Sequence, residues 1–328
     1  MYWYIKYPLI AILVLCLLGF GSLVFRGCRK ATPTETPEPS VVVENVPAAP
    51  GTQVSPSLPD NNSRTVVPPV AKVNPELEEM LANAEAQFER GALEAARFGA
   101  RGVIGKVVEF DNYWKRAVEI INKVDGKIMN STAPASEKQR YIVQPGNSLE
   151  RIARSKHTAV GALMRMNEIA WPEDGRDPIV RPNQTIFYIE GKWSIRVSKQ
   201  QYLLILYFND EIYRVYTVGI GRDNRTPTGT FLITEKQTEP AWCPPGKSIP
   251  FGDPENVLGT RWMKLTPTEG TDPTLEGYGI HGTWEPESCG TSCSLGCVRM
   301  RNEEVEELFD FIPAPGGTTP PVRVVIEE

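Results

Sequence analysis

Two short segments near the C-terminal end carry the residue types best suited to chemistry. One is Gly279-Ile280-His281-Gly282-Thr283, where a histidine closes an apolar run. The other, Ser294-Leu295-Gly296-Cys297-Val298-Arg299-Met300, places a cysteine after a glycine and two residues before an arginine. A thiol attacks a carbonyl as its thiolate, so it needs a neighbouring base or a positive field. The chain has 2 histidines, and the other, His157, falls in a different module. An imidazole base for Cys297 therefore has to be His281. Gly296 lets the backbone approach a substrate closely and leaves amide N–H groups near Cys297 for an oxyanion.

The same thiols permit other chemistry. Cys289, Cys293 and Cys297 are spaced four apart with His281 close by, and three thiols with an imidazole could hold zinc, although the spacing is not C-x₂-C. A Cys289–Cys293 disulfide bracing the loop is the preferred bridge, with Cys243 joined to either as the alternative. Both pairings leave Cys297 free. Cys16 and Cys28 stand apart, in or beside an N-terminal apolar run.

Stepping outward, the elements that must hold these residues are mostly strands. Ile195 with Val197, then Tyr202 to Phe208, lead to an Asn209-Asp210 turn and to Ile212–Val218, which together predict a hairpin. Further strands are expected at Thr230–Thr234, Trp262–Leu265, Tyr278–His281 and Val322–Ile326. One helix is expected after Asn302. Asn302 suits an N-cap, Glu303 and Glu304 suit the positive end of the dipole, and Val305, Leu308, Phe309 and Ile312 form the apolar stripe. The class is an α+β multidomain chain whose residues 193–327 form a mostly β domain with one main helix.

At these residues the sequence resembles the L,D-transpeptidase family of the YkuD type. Thr217-Val218-Gly219, Thr226-Pro227-Thr228-Gly229-Thr230-Phe231, Tyr278–Thr283, Ser294–Met300 and Asn302-Glu303 keep the family's order over about residues 193–326. The resemblance implies Cys297 as nucleophile and His281 as base. It implies that the Gly282 backbone carbonyl orients the imidazole, that Arg299 lines the site and that Ser294 shapes the loop. Leu295 stands where the family often has histidine. The implied reaction attacks the carbonyl at the L-centre of a diamino acid in a tetrapeptide stem, expels D-alanine and passes the acyl group to an amine. Water as acceptor would make the enzyme an L,D-carboxypeptidase. The rival is a non-catalytic adaptor that only binds peptidoglycan. No cofactor or metal is implied.

Residues 140–190 resemble a LysM domain, a small strand–helix–helix–strand module. The likeness rests on Tyr141-Ile142-Val143, the Pro145-Gly146-Asn147-Ser148-Leu149 turn, the central Met166-Asn167 and the run Arg181 to Ile189. It implies binding to N-acetylglucosamine-containing glycans such as peptidoglycan. His157 reads as an ordinary surface or helix histidine. Residues 76–130 show helical periodicity at Leu77, Met80, Leu81, Ala84 and Phe88, with later stretches at Leu93–Val107 and Trp114–Ile121. Ala84, Phe88, Gly91 and Ala96 resemble one tetratricopeptide-type pair, so this segment is expected to be a helical hairpin serving as spacer or as a module for a protein partner. Residues 31–75 are Pro-rich and read as a disordered linker. Residues 1–30 hold an uncharged apolar run from Pro8 to Phe25 flanked by Tyr2, Trp3, Tyr4 and Tyr7, read as a single transmembrane anchor with the catalytic region facing the periplasm or wall. Cleavage or lipidation of that run is left open. A net charge of −5 and a pI near 5.4 argue against nucleic acid as a partner.

Overall fold

Apolar residues on alternate positions turn the C-terminal region into a curled sheet with its inner face buried. The computed structural model describes residues 73–328, apart from 173–177, 269, 317 and 318. The expected anchor at 1–30 and all but the last residues of the 31–75 linker lie outside the described residues. Among those described, no helix is long and apolar enough to cross a membrane.

The helical segment has three helices rather than a hairpin: α1 (Pro75–Glu89), α2 (Leu93–Ile104) and α3 (Asn112–Met129). Asn74 caps α1 and Asp111 caps α3 through their side chains. Next come β1 (Gln139–Ile142), α4 (Leu149–Ser155), α5 (Val160–Met166) and β2 (Thr185–Tyr188), with β1 and β2 paired antiparallel. Here local chemistry does the work. Asn147 Oδ1 accepts from Gln144 N–H and Tyr141 Oη at 3.0 and 2.8 Å, and Ser148 caps α4. Asn167 ties α5 to β2, accepting from Phe187 N–H at 2.7 Å and donating to Phe187 O at 2.8 Å. His157 sits in the turn between α4 and α5 at φ 48°, not on a helix.

The remaining elements are β3 (Trp193–Ser198), β4 (Leu203–Phe208), β5 (Glu211–Thr217), β6 (Ile220–Gly221), β7 (Gly229–Thr238), β8 (Arg261–Pro267), β9 (Gly279–His281), β10 (Ser292–Ser294), β11 (Val298–Arg299), α6 (Asn302–Phe311) and β12 (Arg323–Glu327). Eight strands form one sheet in the order β11-β9-β8-β7-β12-β3-β4-β5, and β10 pairs with β6 separately. Helix α6 buries Val305, Leu308 and Phe311 in the same core as Ile195, Leu206, Phe231, Met263, Ile280 and Val298. Asn302 does not cap this helix. It is the first helical residue, after Arg301, and its amide oxygen instead accepts from Thr260 N–H at 3.2 Å.

A sheet edge presents unpaired backbone groups that must be covered. Strand β5 is such an edge, and α3 covers it. Asn122 donates to Val215 O at 2.8 Å and accepts from Val215 N–H at 2.9 Å. Arg101 donates to Ile212 O at 3.2 Å. Trp114 and Val118 pack on Ile205 and Val215 below them. The helices are thus an edge cover fixed to the sheet, which corrects the spacer reading. Single-element periodicity shows an apolar face but not what it packs on. Trp114 is 2% exposed, so Trp114→Ala is expected to cost about 3–5 kcal/mol. Urea unfolding followed by a signal from the sheet should show the midpoint shift. A freely tethered spacer would leave the sheet transition unmoved.

Candidate active site

Strands β9 and β11 run parallel, with Val298 opposite Ile280 and Arg299 opposite His281. Val298 and Ile280 point into the core. Their neighbours therefore face the other way, and side chains two apart along a strand share a face. Cys297, Arg299 and His281 consequently lie on one face of this strand pair. With neighbouring strands about 4.8 Å apart and a rise of about 3.3 Å per residue, extending the β11 pleat by one residue puts the Cα atoms of Cys297 and His281 roughly 8 Å apart.

The imidazole is fixed in one tautomer. His281 is 3% exposed, and its Nδ1 lies 2.6 Å from Gly282 O. A carbonyl only accepts, so Nδ1 carries the proton and Nε2 keeps its lone pair. Trp262 packs against the ring at 5.9 Å between centroids. The same indole explains Gly279, since a Cβ there would meet Trp262 Cζ2 at 2.7 Å. Gly282 is held behind the ring by Asn302, Thr260 and Val305, with no room for a methyl group.

The nucleophile loop is held by a set of short bonds. Ser294 Oγ donates to Cys297 O at 2.7 Å and accepts from Gly296 N–H at 3.1 Å. The Gly296 amide is therefore committed to Ser294 and does not itself face an oxyanion. Thr226 Oγ1 accepts from Gly221 N–H at 2.7 Å and donates to Gly296 O at 2.9 Å. Gly296 has φ 142°, and a Cβ there would meet Tyr278 Cε1 at 2.8 Å. Thr226 and Tyr278 stood inside the quoted motifs without assigned roles. Only the tertiary fold shows that they hold the loop from either side. Leu295 is 62% exposed and turns outward.

Arg299 Nη1 binds Glu285 Oε2 at 3.0 Å and approaches Cys293 Sγ at 3.9 Å. Glu285 gave no signal in the sequence, since it joins the site only through this pair. Cys297 Sγ points to Gly277 O at 3.6 Å. Burial pushes the Cys297 thiol up to about 11, against opposing pulls from the Gly279 backbone and Arg299. Burial also pushes His281 down to about 4, opposed by the Gly282 and Leu258 backbone carbonyls and assisted by Arg299. At neutral pH the pair is thus thiol and neutral imidazole.

Cys243, Cys289, Cys293 and Cys297 are all thiols. The expected Cys289–Cys293 bridge is not formed, nor is its alternative through Cys243. Cys289 Sγ faces Arg299 O at 3.9 Å, Cys293 Sγ faces Ser288 O at 3.4 Å, and Cys243 Sγ lies 3.7 Å from Ser248 Oγ. Among the described residues, no three His, Cys, Asp or Glu side chains converge as metal ligands would.

The depressed imidazole has a consequence for stability. The unfolded ring takes a proton below its ordinary value of 6.5, whereas the folded ring resists until about 4. Stability from this group is intact above the upper value and is lost as pH falls through that window. His281→Gln removes the effect. Between pH 7 and pH 4.5, wild type is expected to lose roughly 2 kcal/mol more than His281→Gln, read from paired urea midpoints.

Known proteins share long stretches of this sequence. Residues 192–326 match the YkuD model, the L,D-transpeptidase catalytic domain, and residues 141–173 match the LysM domain. The candidate L,D-transpeptidase YqjB of Bacillus subtilis is 41% identical over 126 residues, covering 38% of this chain and 69% of that protein. The candidate L,D-transpeptidase YkuD of Bacillus licheniformis is 32% identical over 180 residues, covering 53% of this chain and 93% of that protein. Among solved structures, an L,D-transpeptidase from Mycobacterium smegmatis matches at TM-score 0.34 and 13% identity, covering 58% of this chain and 82% of that one. The chain belongs to the L,D-transpeptidase family and carries a LysM domain before its catalytic domain.

Proposed function

We propose that this protein cleaves and transfers peptidoglycan tetrapeptide stems through a thioester on Cys297, forming 3→3 cross-links or loading another amine. The observation that carries the reading is the locked imidazole. Gly282 O holds the Nδ1 proton, so Nε2 is the base, on the face that Cys297 shares.

Because thiol and imidazole both start neutral, the proton moves as the bond forms. Cys297 Sγ attacks the carbonyl at the L-centre of the diamino acid while its proton passes to His281 Nε2. Arg299 favours the developing negative charge, and backbone amides of the Cys297 loop receive the oxyanion. The carbon–nitrogen bond to D-alanine breaks, and Nε2 returns the proton to the leaving amine. An acceptor amine then attacks the thioester, gives its proton to Nε2, and the thiol leaves with it. The LysM domain holds glycan near the site. The apolar run at 8–25 tethers the enzyme to the membrane, with its catalytic domain facing the periplasm or wall.

The test is incubation with tetrapeptide-stem muropeptides and mass analysis of the products. Loss of D-alanine with dimer formation is expected. Loss without a dimer would assign the water reaction, L,D-carboxypeptidase. No loss from folded protein would leave the adaptor reading and sink this one.

A further inference from the structure

We propose that Cys289 and Cys293 form a redox-active dithiol, a modification site for small-molecule disulfides, whose oxidation slows the neighbouring Cys297. The mechanism above uses neither thiol, yet both abut its machinery. Cys293 lies on β10 between Ser292 and Ser294, and Ser294 is the side chain that holds both Gly296 N–H and Cys297 O. Cys293 Sγ is also the second neighbour of Arg299 Nη1, at 3.9 Å. Cys289 Sγ lies 3.9 Å from Arg299 O.

Both sulfurs flank one backbone knot. Gly219 N–H donates to Arg299 O at 2.8 Å, and a Cβ on Gly219 would be 3.3 Å from Cys293 Sγ. The chain between the two cysteines turns back on itself. Thr291 N–H donates to Ser288 O at 3.3 Å, and Gly290 turns at φ 89°. A disulfide between them needs their Cα atoms about 4.4–6.8 Å apart, the separation such a turn has to provide.

Their exposure divides the roles. Cys293 is half-buried whereas Cys289 is buried, so an external disulfide reaches Cys293 first. Cys293 thiolate attacks one sulfur of a disulfide such as oxidised glutathione, forming a mixed disulfide and releasing one glutathione thiolate, which takes up the Cys293 proton. Cys289 then attacks Cys293 Sγ, forming the internal bond and releasing the second glutathione with the Cys289 proton. The protein dithiol is oxidised and one glutathione disulfide is reduced to two thiols. Closing the bond draws Cys293 Sγ from Ser288 O and Arg299, and so moves β10 and the Ser294 that holds the nucleophile loop. Misplacing a catalytic group by about 1 Å costs on the order of 10²-fold in rate, so a smaller shift of this loop is expected to cost about tenfold.

The full chain is equilibrated in glutathione buffers from fully reduced to fully oxidised, quenched by alkylation and mapped by peptide mass. A Cys289–Cys293 link is expected in oxidising buffer, with Cys297 still alkylated, and dithiothreitol should reverse it. In parallel, the rate of Cys297 acylation by a carbapenem is expected to fall about tenfold on oxidation, and Cys289→Ser should lose this internal link. Absence of the link, a Cys293–Cys297 link in its place, or a link with an unchanged Cys297 rate would each overturn the proposal. Only the kinetic arm rests on the function proposed above. If reduced protein takes no carbapenem, that function fails, and the alkylation rate of Cys297 by iodoacetamide serves as the readout instead.

Discussion

Replacing Cys297 by alanine is expected to abolish release of D-alanine from tetrapeptide stems, a loss of at least about 10³-fold that leaves the fold intact. The size follows from chemistry. No other group on the shared face of β9 and β11 can form the thioester, because Arg299 and His281 are not nucleophiles there. The fold survives because the sulfur's recorded contact is a long one, 3.6 Å to Gly277 O. Intact mass after exposure to a carbapenem should show one adduct on wild type and none on Cys297→Ala. Melting curves of the two proteins should nearly coincide. Turnover by the alanine variant, or an adduct on it, would move the nucleophile elsewhere, and Cys293 would be the first thiol to examine.

The second large effect is expected from a residue with no side chain. Gly282→Ala should lower kcat about 10²-fold with little change in KM. Its new Cβ would run into the Asn302 amide, with Thr260 N at 3.1 Å and Val305 Cγ1 at 3.2 Å closing the remaining space. The peptide has to shift, and Gly282 O then leaves the 2.6 Å contact that holds the His281 tautomer. Asn302→Ala removes the main clash at the cost of the Thr260 hydrogen bond. If crowding is the cause, the double variant should recover part of the loss, a coupling that a cycle of four rate constants measures. Activity of Gly282→Ala close to wild type would mean that the carbonyl does not set the tautomer.

Much of the local structure was legible in the residues. Of the expected stripe, Val305, Leu308 and Ile312 are buried while Phe309 is only partly so and Phe311 takes the inner place, and the Asn147-Ser148 turn and Met166-Asn167 motif do local work that short-range chemistry can specify. Composition and spacing do not fix the partner where the folded chain offers a competing one. Asn302 has the composition of a cap but bonds to Thr260 instead. Cys289 and Cys293 have the spacing of a disulfide, but each sulfur faces a backbone oxygen.

By itself, the sequence determined which groups can do chemistry here. One imidazole lies near the single Gly-Cys-Val-Arg thiol, and the motifs in their order identify the family. Thiol, imidazole and glycine declare their capacities by type, and spacing along the chain is enough to nominate them. Only the tertiary structure decided their states. Burial made Cys297 and His281 a neutral pair, and the parallel register of β9 and β11 put them on one face. It also decided that α3 covers the β5 edge. Desolvation, register and edge cover are sums over residues far apart in the chain, and no local pattern contains them.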